Sequence, residues 1–110
     1  MVIQNNSFVF TATTLKNNIT IKGGTGNTGQ NTSIYLPQPA GTNLDGMQII
    51  VRKTINMGIV NIYAYQTTGN SNTNIIIPNN SVTGVNSISL DSSKSSCMLQ
   101  IIGEYYYQMY

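Results

Sequence analysis

The chain has no histidine and no tryptophan, a single cysteine and few charged residues. Histidine is the usual base for a serine or cysteine nucleophile and a frequent zinc ligand, so its absence argues against both kinds of site. The one cysteine, Cys97, cannot form a disulfide within the chain. It precedes the apolar stretch 98–102, a position that predicts a buried and unreactive thiol. We therefore expect no enzymatic activity and no cofactor or metal.

The acidic residues give no stronger indication of catalysis. Asp45, Asp91 and Glu104 each fall in a predicted turn, where a carboxylate accepts backbone hydrogen bonds or faces water. None lies within an apolar strand that would shift its pKa, so a paired acid and base is not indicated.

Charged residues make up 7% of the chain, compared with about a quarter of an ordinary soluble domain. Asn, Ser, Thr, Gln and Gly supply the polarity instead, which favours an extracellular or virion β protein over a metabolic enzyme. The five basic residues are scattered, so no nucleic-acid partner is expected. No apolar run approaches the roughly 20 residues that span a bilayer, so membrane insertion is not expected.

Alternating and β-branched residues predict eight or nine short strands, no helix and a single domain over residues 1–110. An alternative interpretation of residues 1–14 is an entry strand that follows the shaft of a fibre. Turns about every eight to twelve residues are typical of an antiparallel β-sandwich or jelly roll. The predicted strands are 8–13, 19–22, 33–36, 47–53, 59–65, 75–77, 87–90, 98–102 and 105–109.

The segment Leu36–Gly46 predicts a rigid corner that leads into the strand 47–53. Its two prolines fix φ and have no amide hydrogen, and its two glycines reach backbone angles that strain other residues. This corner excludes helix and organises the strands on either side of it.

Tyrosines are concentrated in the last predicted strand. There Tyr105, Tyr107 and Met109 share one face, and Tyr106 lies on the other. Three interpretations stay open: the side chains fill the core, they form a subunit interface, or they stack on sugar rings.

Several predicted strands and turns follow one another in an order that is typical of a known domain family. The strand that begins at Ser33 ends in Leu-Pro-x-Pro-Ala-Gly, and a short turn to Gly46 leads into the next strand. The later segments that keep this order are 59–64, 77–90, 97–103 and 105–109. Over residues 15–110 the chain resembles a domain found in viral and phage tail-fibre and fibre-head proteins. It departs from that pattern in the last strand, where tyrosine stands in place of the common tryptophan.

The resemblance implies a homotrimeric β-sandwich at the tip of a viral fibre, for which a giant virus or virophage is a suitable source. Tyr105, Tyr107 and Met109 would then form the trimer interface. The implied function is non-enzymatic attachment from the virion surface to a glycan or protein on a host or viral surface.

Receptor contacts are expected from polar loops at one end of the domain, namely 23–30, 66–74 and 91–96. Amide side chains both donate and accept hydrogen bonds, and tyrosines offer a stacking face. The candidate receptor-binding residues are Asn27, Tyr63, Tyr65, Asn70 and Asn72. Two alternatives stay open: a purely structural trimerisation or minor capsid domain, and a bacterial lectin or adhesin module.

Overall fold

The computed structural model describes residues 1–22, 30–54, 58–66 and 71–110, and of Tyr65, Gln66, Ser71 and Asn72 it describes only the backbone. These residues form eleven strands and no helix, which confirms the predicted all-β class. The strands are β1 (Val2–Ile3), β2 (Ser7–Val9), β3 (Asn18–Ile21), β4 (Thr32–Pro37), β5 (Gln48–Lys53), β6 (Val60–Gln66), β7 (Ser71–Asn72), β8 (Ile76–Ile77), β9 (Ser87–Leu90), β10 (Ser96–Ile102) and β11 (Tyr105–Gln108).

The strands are arranged in two sheets. Sheet A has the order β1-β3-β5-β10-β11-β8, and β8 lies at its edge, as the proline that follows it favours. Sheet B has the order β2-β4-β6, and both β7 and β9 pair with the far side of β6. Side chains from both sheets form one hydrophobic core, an arrangement consistent with a β-sandwich. The jelly-roll connectivity is not confirmed.

The first six strands overturn the prediction of antiparallel pairing. They alternate between the sheets, and neighbours within each sheet are parallel, with Asn18 opposite Ile50 and Thr32 opposite Val60. Each connection crosses to the other sheet, so the chain returns to the first sheet in its original direction. Because the later strands pair antiparallel, both sheets contain parallel and antiparallel pairs and are mixed.

The later strands return to antiparallel pairing. β9 pairs with β6, β10 with β5, and β11 with β10, whereas β8 lies parallel to β11. The predicted two-residue hairpin at Gly103-Glu104 is confirmed, and Gly103 has a φ of 64° there.

Alternation along the strands fills the core. Ile19, Val51 and Cys97 lie side by side on β3, β5 and β10, and all three are fully buried. Ile34 on β4 lies opposite Ile62 on β6, and both are also fully buried. Burying one such isoleucine stabilises a fold by about 1.5–3 kcal/mol relative to an exposed side chain.

The proline-glycine corner after β4 is held against the β10–β11 hairpin. Gly41 and Gly46 adopt φ values of 75° and 87°, as the sequence predicts for this turn. The Gly46 amide donates to the Ile101 carbonyl (2.7 Å), and the Gly103 amide donates to Asp45 Oδ1 (2.6 Å). The corner therefore fixes the position of the tyrosine-rich last strand.

Two predicted segments differ from the observed structure. The first predicted strand, 8–13, ends at Val9, because the Thr11 carbonyl and hydroxyl hydrogen-bond to Thr14 in a turn. The predicted loop 66–74 contains the short strand β7, which pairs with the end of β6.

Candidate functional site

The loops predicted for receptor contact lie at two ends of the strands rather than at one. Leu90, which ends β9, lies opposite Val60, which begins β6, so the 91–96 loop leaves at that end. Gln66 ends β6, so the 66–74 segment begins at the opposite end. The prediction that these loops share one end is wrong, because the length of β6 separates the 91–96 loop from the start of the 66–74 segment.

A polar groove of about 610 Å³ lies at the end where β5 finishes and β6 begins. Six of the eight described residues that line it carry an amide, hydroxyl, ammonium or carboxylate group, so it offers hydrogen bonds to a hydroxyl-rich ligand. The lining residues are Asn31, Lys53, Thr54, Gly58, Ile59, Asp91, Ser92 and Ser95.

Hydrogen bonds to the backbone hold the walls of this groove. The Ile59 amide donates to Asn31 Oδ1 at 2.9 Å, which joins the start of β4 to the start of β6. The Lys53 amide donates to the Ser95 carbonyl at 2.9 Å, which joins the end of β5 to the loop before β10. The groove is thus built from segments far apart in sequence.

Asp91 gives the groove a carboxylate that stays ionised. Asp91 Oδ1 accepts hydrogen bonds from the Ser93 hydroxyl (2.7 Å), the Ser93 amide (2.9 Å) and the Lys94 amide (3.1 Å). These bonds, led by the one from the Ser93 hydroxyl, lower the pKa of Asp91 below its ordinary value, and the charge of Lys53 lowers it further. A carboxylate with a lowered pKa can accept hydrogen bonds from a ligand but is a poor general acid.

The predicted receptor-binding residues are not brought together as one described site. Tyr63 lies on β6 and its half-buried side chain points out of sheet B. Tyr65 and Asn72 are opposite each other in β6 and β7, with only their backbones described. Asn27 and Asn70 lie outside the described residues.

Tyr63 stacks on a tyrosine that sequence reasoning did not select. The Tyr35 and Tyr63 rings have centroids 5.1 Å apart and planes inclined by 14°. They lie directly opposite each other in the parallel pairing of β4 and β6. The alternation in 33–36 indicates that Tyr35 points away from the core, but nothing in the sequence gives the register that places it beside Tyr63.

The predicted interface residues lie on the outward face of sheet A. Tyr105, Tyr107 and Met109 are exposed, whereas Tyr106 is fully buried between the sheets. Tyr105 and Tyr107 meet edge to face, with centroids 6.4 Å apart. Tyr106 therefore fills the core, whereas Tyr105, Tyr107 and Met109 do not.

Cys97 is fully buried, as its apolar surroundings predict, and burial raises the pKa of its thiol to about 11. Where the structure describes the chain, no group of three or more histidine, cysteine, aspartate or glutamate residues could hold a metal ion. The same residues include no helix with the length and apolarity that a membrane span requires.

None of the family models, curated proteins or solved structures with which the chain was compared matches it.

Proposed function

We propose that this chain is a non-enzymatic attachment domain, a homotrimeric fibre head on the virion surface that recognises a glycan on a host or viral surface. Subunits would associate through the outward face of sheet A, which leaves sheet B and the polar groove for the ligand. The observation that carries this proposal is the exposed apolar surface around the last strand.

That surface is contiguous over Ile102, Tyr105 and Tyr107, because the Tyr105 and Tyr107 rings meet and Ile102 pairs with Tyr105. Met109 and Tyr110, which follow in the chain, are exposed as well, and the five side chains expose 36–49% of their area. Ile102 lies opposite Tyr105, and Tyr107 lies between Gln100 and Ile77. Contiguous exposed apolar surface of this kind is typical of protein interaction sites, and tyrosine and methionine are enriched at such interfaces.

Charge is also sparse on this face. Among the described strand residues that point outward from sheet A, Arg52 carries the only charge. It lies opposite Ser96, which is four residues and about 13 Å along β10 from Gln100. Apart from Glu104 in the adjacent turn, a subunit that covers Tyr105 and Tyr107 would therefore desolvate little charge.

The first experiment measures the mass of the purified protein by light scattering after size exclusion, over a range of concentrations. We expect a species near three times 12.0 kDa. Tyr107→Lys should shift it to monomer, because an ammonium would be buried in the interface. Val82→Lys is the matched control, since Val82 is 96% exposed in a loop and should leave the mass unchanged.

The second experiment tests attachment by applying the intact oligomer to a glycan array and to host cells. Binding to either would support the attachment function. A trimer that binds nothing would favour a purely architectural domain, and a persistent monomer would contradict the fibre-head proposal.

A further inference from the structure

The tyrosine pair on sheet B has a small residue on one side. Tyr35 and Tyr63 stack with a centroid separation of 5.1 Å, close to the spacing of about 4.8 Å between neighbouring strands. One face of Tyr63 therefore meets Tyr35, and β9 pairs with β6 on the other side of Tyr63.

The residue opposite Tyr63 on β9 is Ser87. Ser87 is half-buried, and a serine side chain is much shorter than a tyrosine ring. The corresponding position next to Tyr35 on β2 is Val9. In the row Val9-Tyr35-Tyr63-Ser87, the serine end is the position at which a flat ligand ring would meet Tyr63 without displacing another ring.

Hydrogen-bonding groups lie beside that position. In the neighbouring row, the Ser89 hydroxyl donates to Asn61 Oδ1 at 2.8 Å, which orients the Asn61 amide group and leaves its N–H donors for a ligand. The Ser87 hydroxyl can both donate and accept. The described side chains that point outward from sheet B include no charged group.

We infer that this position binds one pyranose ring of a neutral glycan. The C–H groups on one face of the sugar would lie on the electron-rich face of Tyr63, and its hydroxyls would hydrogen-bond to Ser87 and Asn61. This inference rests on the proposed glycan attachment, to which it adds a site and a ligand class. A neutral sugar fits because the surrounding side chains offer hydroxyl and amide groups without charge.

Three variants test the site with a glycan that the unaltered protein binds on the array. Tyr63→Phe keeps the ring face and should bind within about twofold of the unaltered protein. Tyr63→Ala removes the face and should bind about tenfold or more weakly, as expected for the loss of about 1.4 kcal/mol. Ser87→Tyr should also abolish binding, because the new ring would fill the ligand position while Tyr63 remains.

Val82→Tyr is the matched control for Ser87→Tyr, since it adds a tyrosine at an exposed loop position away from the row. Thermal unfolding of each variant shows whether it is folded. If a folded Ser87→Tyr variant keeps full binding, the glycan lies elsewhere, and the site is refuted while the attachment function stands.

A direct probe separates the site from the attachment function. Methyl β-galactopyranoside and methyl α-glucopyranoside at millimolar concentration are titrated into ¹⁵N-labelled protein. Shifts confined to the amides of Asn61, Ser87 and Ser89, and absent in Ser87→Tyr, would support the site even if the array is blank. Shifts confined to the groove around Lys53 and Asp91 would overturn it, and no shift together with a blank array would overturn both proposals.

Discussion

Replacement of Tyr106 by phenylalanine tests whether the last strand is tied to the proline-glycine corner across the core. Tyr106 lies on β11 in sheet A, is fully buried, and donates a hydrogen bond from its hydroxyl to the carbonyl oxygen of Pro37, which ends β4 in sheet B. Phenylalanine keeps the ring and its packing but removes the donor, so the buried carbonyl loses a partner. We expect the free energy of unfolding to fall by about 1–2 kcal/mol.

The expected change in Tm follows from the length of the chain. An entropy of unfolding of about 2.1 cal/mol/K per residue gives about 0.23 kcal/mol/K for this domain, so Tm should fall by about 4–9 °C. Calorimetry and urea unfolding would measure both quantities. Tyr63→Phe is the matched control, because Tyr63 points out of sheet B and lies outside the proposed interface, and it should change stability by less than about 0.5 kcal/mol. An equally small effect of Tyr106→Phe would refute the reasoning.

Two further substitutions probe buried polar groups. Burial raises the pKa of Cys97 from 9.0 to about 11, so above pH 9 the unfolded chain loses a thiol proton that the folded chain keeps. Urea unfolding should therefore show stability falling from about pH 9 to about pH 11, and falling less in Cys97→Ala; equal slopes would contradict this. Thr32 is fully buried, and its hydroxyl has no hydrogen-bond partner among the described residues. Thr32→Val keeps the shape and should raise stability by about 1 kcal/mol in the same assay, whereas a loss would show that the hydroxyl is bonded.

The sequence is informative about strands and about which face of each strand is buried. The apolar stretch 98–102 predicts a strand and a buried thiol at Cys97, and Cys97 is fully buried in β10. The dipeptide Gly103-Glu104 predicts the hairpin because a tight turn needs a positive φ that glycine adopts without strain. These features depend on neighbours in sequence, so local patterns suffice to predict them.

The direction of strand pairing is not a local property. Asn18 pairs with Ile50 and Thr32 with Val60 through connections whose length and polarity say nothing about which sheet the chain enters next. An inward-facing row of Ile and Val residues is equally compatible with parallel and antiparallel neighbours. The parallel arrangement of the first six strands, and the separation of the predicted receptor loops, therefore could not be read from the sequence.

The same limit applies to the candidate site. Alternation indicates that Tyr63 points away from the core, but Tyr35 is 28 residues earlier, and the stacked pair exists only because β4 and β6 are in register. Ser87 becomes part of the site only because β9 pairs with the other side of β6. The proposed binding position is defined by two parallel strands and one antiparallel strand, so predicting it requires the register of the whole sheet.

The two outward faces of the molecule also differ in chemistry, and this difference connects the two proposals. Sheet A presents Ile102, Tyr105 and Met109, whereas sheet B presents serine and asparagine around Tyr63. Because the core lies between the sheets, these faces point in opposite directions. Association through sheet A would thus leave every copy of the Tyr63 position on the outside of the assembly. Three weak sugar contacts displayed together would then strengthen attachment by avidity, so Tyr107→Lys should weaken binding to a dense glycan surface while leaving binding of a single free sugar unchanged. Equal losses in both measurements would show that the two faces are not independent.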